Sequence, residues 1–179
     1  MAEPRPLPAF TGLIVHRDPG LGYSLLVPDD WYLLELEGGS GVLYAPDRND
    51  PLTGLAVEGR DLGTKVRPAD LPTLRSGFLR GLRKLPGSRI EHHEAQAIGQ
   101  LITLEARHTY RDGDALRKRW VRLLYQGRVQ VRLVAQAATV EAFEHWEPMF
   151  YEAMRTVRFG DWWADVIGVS WAERAFEDE

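Results

Sequence analysis

The densest cluster of chemistry-bearing side chains in the sequence is Glu91-His92-His93-Glu94, with His108 further along. Imidazoles and carboxylates are the groups that hold zinc or move protons. A zinc site on one element needs its ligands on one face, as in the H-E-x-x-H helix, where two histidines sit one turn apart. Here the histidines are adjacent, and adjacent side chains in a strand point to opposite faces. The run therefore reads as surface polar groups, with His92 opposite Glu105 if Ile98-Gly99 is a two-residue turn. His108 falls in an apolar alternation, which predicts a hydrogen-bonded core histidine rather than a base.

Asp47, Asn49 and Asp50 begin like a calcium loop, and Glu58 stands at its twelfth position. Pro51 and Leu52, however, occupy the places of a ligand and the turn glycine, so a solvated turn is expected instead. No serine sits in a G-x-S-x-G elbow, and Gly38-Gly39-Ser40-Gly41 lacks the lysine and the following helix of a phosphate loop. Cysteine is absent, which removes thiolate nucleophiles, thiolate metal sites and disulfides. No catalytic residue, metal ligand set or cofactor is assigned on these grounds. The expectation is a non-enzymatic protein.

Charge narrows the partners. The chain carries a formal net charge of -4, but Arg60 to Arg132 holds 16 of the 22 Lys and Arg against 7 of the 26 Asp and Glu. A basic middle between acidic ends fits strand faces that meet each other, or a basic surface for an acidic protein partner. Arg117, Lys118 and Arg119 are the candidate basic surface. Nucleic acid is not expected, because only Trp120 interrupts the basic run and one indole is no stacking platform. Neither is a membrane, since no apolar run approaches the ~18 residues a spanning helix needs. Met1 to Pro8 carries prolines at 4, 6 and 8 and no signal-like apolar stretch, so residues 1–9 read as a flexible arm and the protein as cytoplasmic.

The elements that position these residues follow from periodicity. Gly22 to Trp31 is an apolar strand ended by Pro28, with Trp31 returning an indole to the core; apolar residues on both sides place it inside a covered sheet. Thr11 to His16 is a shorter strand before it. Tyr32 to Glu37 and Val42 to Ala45 make a hairpin, and Leu55 to Glu58 another strand. Asp70 caps a helix bearing Leu71, Leu74, Phe78, Leu82 and Leu85 on one stripe, ended by Pro86-Gly87. Gly77 and Gly81 inside it read either as close backbone packing or as tolerated glycines. Arg89 to Ala97 pairs with Gln100 to Arg111.

Ala115 to Tyr125 pairs with Val129 to Ala137, and a three-residue turn is favoured because it gathers Val121, Leu123 and Tyr125 with Val129, Val131 and Leu133 on one face. Thr139 caps a second helix with Phe143, Trp146, Phe150 and Met154 on one stripe, which Pro148 should kink or divide. Residues 161–179 then add Trp162, Trp163, Ile167 and Trp171 among acidic residues, a tail expected to pack on residues 10–160, read as one domain, or on a partner.

Gly22-Tyr23-Ser24-Leu25 with Pro28 and Trp31, Ile98-Gly99, Tyr125-Gln126-Gly127-Arg128, and Phe150 to Phe159 together resemble the PsbP-like superfamily. It includes the photosystem II extrinsic protein, the Ran-release import factors, and bacterial lipoproteins and type VI effector chaperones. The resemblance covers most of Leu13 to Phe159. It implies an α+β fold, an α/β/α sandwich with helices on both faces of a central antiparallel sheet, and a role in binding other proteins. The tryptophan-rich tail and the missing lipobox depart from the pattern.

Two function classes remain. One is a protein-binding or adaptor domain acting through surface contacts with an acidic partner, or with a second copy as a homodimer. The other is an apolar-ligand carrier or an unrecognised enzyme, with a pocket between sheet and helix lined by Trp120, Tyr125, Trp146 and Phe150.

Overall fold

The computed structural model describes Pro8 and residues 11–160. Along the chain come β1 (Leu13–Asp18), β2 (Tyr23–Pro28), β3 (Tyr32–Glu35), β4 (Val42–Ala45), β5 (Gly54–Asp61), α1 (Leu71–Arg83), β6 (Arg89–Ile98), β7 (Leu101–Asp112), β8 (Ala115–Gln126), β9 (Val129–Gln136), α2 (Val140–Arg155) and β10 (Arg158–Phe159). Among the described residues these strands form a seven-stranded sheet in the order β3-β4-β5-β9-β8-β7-β6 and a three-stranded sheet in the order β1-β2-β10. Every pairing is antiparallel. With two helices added, the class is α+β. No described helix is long and apolar enough to cross a membrane.

β2 is not a strand of the large sheet. It is the middle of the small one, and Tyr23, Leu25 and Val27 are buried there beneath α2. Its Leu26 amide lies beyond the reach of the short β10 and donates instead to Thr156 Oγ1 at 2.8 Å. Trp31 follows as expected, buried against α2. That core also takes Leu55, Val57, Trp120, Leu124, Leu133, Phe143, Phe150 and Met154. The layer over Trp120 is thus α2 together with a small sheet, rather than a helix alone. α1 packs on β6 and β7, where Phe78 and Leu82 meet Ala106, Val121, Ile102 and Leu104. Trp120 and Val121 are neighbours on β8 and belong to different clusters, as strand alternation requires.

Several expectations are corrected. β1 begins two residues later than expected and runs to Asp18. Asp70 does not cap α1; its carboxylate accepts from Arg67 N at 2.8 Å and closes the short 3-10 turn Pro68–Asp70. α2 runs through Pro148 as one helix, capped by Thr139, whose hydroxyl accepts from Ala142 N. The β8–β9 turn is the two-residue one: Leu124 pairs Val131 and Arg122 pairs Leu133. Both faces of this hairpin carry buried apolar residues, Trp120, Leu124 and Leu133 on one and Val121, Tyr125 and Val134 on the other, so apolar patterning does not select the register, and the tight turn at Gly127, with φ of 59°, decides it. Likewise the β6–β7 turn is Gly99-Gln100, with Ile98 opposite Leu101.

Candidate functional site

α1 covers β6, β7 and part of β8 and reaches Val134 of β9 and Ala56 of β5, but leaves the Glu58–Arg60 and Gln130–Arg132 stretches of the same face open. The register puts Arg119 opposite Gln136 and His108, Leu123 opposite Arg132, and Glu58 and Arg60 opposite Arg132 and Gln130. The polar residues of β5 and β9 therefore share one face with the apolar residues that α1 seals. Between them and the helix lies a half-open groove of about 550 Å³. Its apolar floor includes Phe78, Leu82, Leu85, Val121 and Leu123; Arg60, Arg119, Arg132, Glu58 and Gln130 supply the polar side.

Gly77 and Gly81 form part of the helical wall, and a Cβ at either would meet nothing within 4 Å. The close-packing reading of these two glycines is therefore overturned. One turn apart on the same helix, they leave the groove wide where side chains would have narrowed it.

The groove is cationic. Three guanidiniums face one carboxylate, and that carboxylate is already engaged, Arg132 Nη1 lying 3.3 Å from Glu58 Oε2. Arg119 donates to the Tyr110 hydroxyl and stacks over its ring at 4.5 Å. Burial, the largest cause, lowers its pKa, yet a guanidinium keeps its charge at neutral pH. Its Nε is buried without a hydrogen-bond partner among the described residues. Gln130 Nε2 donates to Tyr125 Oη at 2.8 Å and fixes the far wall. Forked donors beside apolar floor suit a carboxylate carried next to an apolar side chain.

His108 lies on the same face, on β7, fully buried. Neither ring nitrogen makes a hydrogen bond of good geometry among the described residues, the Thr109 backbone giving only a minor one. Burial first, then the charge of Arg119, pulls its pKa down to about 4, so the ring is neutral.

The residues singled out in the sequence separate in space. Arg117, Lys118 and Arg119 alternate across β8: Arg117 donates to the Ala138 carbonyl and bridges Asp112, Lys118 bridges Glu91 and Glu144 on the α2 side, and only Arg119 of the three lines the groove. Trp120, Trp146 and Phe150 belong to the packed core under α2, whereas Tyr125 lies in the cluster under α1, so the four do not line one space. A space between sheet and helix does exist, on the other face and with other walls. His92 pairs with Arg107, not Glu105, and its Nε2 lies 3.1 Å from Glu94 Oε1. Asp47 and Asp50 accept from Asn49 N and Leu52 N in tight turns, and Glu58 is the groove carboxylate. Trp162, Trp163, Ile167 and Trp171 lie outside the described residues, as do residues 1–7, 9 and 10.

Sequence reasoning missed the groove because its walls come from five separate segments. A signal was present: Glu58 and Arg60 on one strand, and Gln130 and Arg132 on another, alternate with core residues, and two glycines sit one turn apart on an otherwise side-chain-rich helix.

Family models and curated protein sequences give no match to the chain. Solved structures do. Cyanobacterial PsbP (CyanoP) from Synechocystis sp. PCC 6803 superimposes with a TM-score of 0.59 at 12% identity, over 84% of this chain and 94% of that one. LpqN of Mycobacterium tuberculosis, involved in cell envelope biogenesis, gives 0.55 at 19% identity over 83% and 91%. The Saccharomyces cerevisiae Ran-binding protein Mog1p gives 0.50 at 10% identity over 83% and 95%.

Proposed function

The chain has the PsbP-like fold, and on that scaffold we propose a non-enzymatic protein-binding or adaptor domain, an α/β/α sandwich whose groove beside α1 receives an acidic segment of a partner protein. The observation that carries this reading is the groove itself: three guanidiniums against one engaged carboxylate, over an apolar floor, held open by Gly77 and Gly81. An extended acidic segment with alternating apolar side chains would place carboxylates on Arg60, Arg119 and Arg132 and its apolar groups on Phe78 and Leu82. Arginine forks give such contacts both strength and direction. That the Ran-binding protein Mog1p shares the fold is compatible with this use of the scaffold.

The test is fluorescence anisotropy with a labelled octapeptide alternating Glu with Leu and Phe, beside its Lys-for-Glu counterpart. Saturable binding of the acidic peptide alone, weakened by salt and lost in Arg119→Glu with Arg132→Glu, supports the reading. Equal binding of the two peptides overturns it. Binding of dodecanoate with exclusion of both peptides would favour a carrier of small amphipathic anions instead.

A further inference from the structure

Three depressions on the surface share lining residues in turn. The first is bounded by Gly160, Gly22, Tyr23 and Pro19, the last described turn of the chain against the start of β2. The second shares Tyr23 and Pro19 with it and extends to Ser40 and Gly59. Ser40 and Gly59 are in turn part of the cationic groove beside α1. The described chain therefore ends, tied down by Gly160 N donating to Gly22 O at 2.9 Å, two adjoining depressions away from the groove, although Gly59 itself faces Tyr23 and not the groove.

The chain that leaves this point matches the groove in chemistry. Residues 161–179 carry Asp161, Asp165, Glu173, Glu177, Asp178 and Glu179 against the single Arg174, and among them Trp162, Trp163, Ile167, Trp171 and Phe176. Acidic groups interleaved with large apolar ones are what three arginines over an apolar floor would select. Reach is ample, because 19 residues span up to roughly 60 Å extended, against a radius of gyration of about 15 Å for a domain of this size.

Building on the proposed function, we infer that residues 161–179 return in cis and occupy the cationic groove, so that an acidic partner binds by displacing the chain's own C-terminal segment. Tethering makes the segment a strong competitor: a short flexible link gives an effective concentration of about millimolar, which a free partner has to exceed in affinity.

Because the chain has no cysteine, engineered pairs report this contact without background. Gly81→Cys, whose new side chain enters open groove space, is combined in the full-length protein with Ala164→Cys, Ser170→Cys or Ala175→Cys, one at a time. Dilute protein is oxidised with diamide and followed by non-reducing electrophoresis and intact mass. The inference expects an intrachain disulfide with at least one tail position, slowed by 1 M salt, and little or none when Arg80→Cys on the exposed side of α1 replaces Gly81→Cys. Equal yields from the two helix positions, or interchain dimers alone, overturn it.

A second readout separates this inference from the reading beneath it. Trp163→Ser with Trp171→Ser should bind the acidic octapeptide about tenfold more tightly than the parent chain. Tight binding by both proteins without intrachain disulfides removes the tail from the groove and leaves the partner site standing. Disulfides without octapeptide binding in the tail variant remove the partner site instead.

Discussion

Trp31 and Trp146 meet edge to face, their ring centroids 5.8 Å apart at 89°, and join the loop after β2 to the middle of α2. Phe150 meets the same indole edge-on at 5.8 Å. Trp31 thus ties the small sheet to the helix that covers the large one, and only 6% of it is exposed. Truncating a tryptophan packed in this way costs ~3–5 kcal/mol, a large share of the ~5–15 that stabilises a domain. Trp31→Ala is expected to lose that much in chemical denaturation; a loss under ~1 kcal/mol would show that this contact does not organise the core.

The neutral His108 sets a pH dependence. Its folded-state pKa of about 4 lies below the ordinary 6.5, so between these values the unfolded chain binds a proton that the folded chain refuses. Stability therefore rises with pH through that window and is full above it, the whole span amounting to roughly 3 kcal/mol. His108→Leu should flatten this part of the profile. Parallel profiles for the two proteins between pH 4 and 6.5 would remove His108 from the acid response.

The Thr156 hydroxyl accepts from Leu26 N at 2.8 Å and donates to Ala153 O at 2.8 Å. It closes the gap that the two-residue β10 leaves on β2. Thr156→Val keeps the shape and removes the acceptor, stranding a part-buried amide at a cost of about 1–3 kcal/mol. Thr156→Ser should recover most of it. If Ser and Val are equally destabilised, the hydroxyl is not what holds β2 to α2.

Gly77 and Gly81 present a trade between stability and access. Alanine at either position should stabilise α1 by up to ~1 kcal/mol, since the space around both is open. Leucine at 81 should instead fill the groove and weaken octapeptide binding at unchanged or improved stability. A drop in melting temperature for Gly81→Ala would contradict the open wall.

Strand positions and the two helices were legible because periodicity reports one buried face at a time. Where both faces carry buried apolar residues, as in β8 and β9, Val121 and Leu124 are equally apolar and the pattern is silent on register; Gly127 settles it through turn geometry. Pro148 misled for another reason. Its side of α2 is stabilised by the packing of Met149 and Phe150, which outweighs one lost backbone bond. The candidate pocket failed because Trp120 and Tyr125 lie an odd number of residues apart on one strand and so face opposite layers, while the groove that does exist depends on long-range pairings, Glu58 with Arg132 and Arg60 with Gln130, that no local window contains.

The claim that the groove beside α1 is the binding surface is tested most directly by backbone amide chemical shifts of the isotope-labelled full chain titrated with the acidic octapeptide. The account predicts saturable shifts at Gly77, Gly81, Arg119, Gln130 and Arg132, absent with the Lys counterpart. Shifts confined to β1 or to the exposed side of α2, with these five amides unmoved, would contradict it.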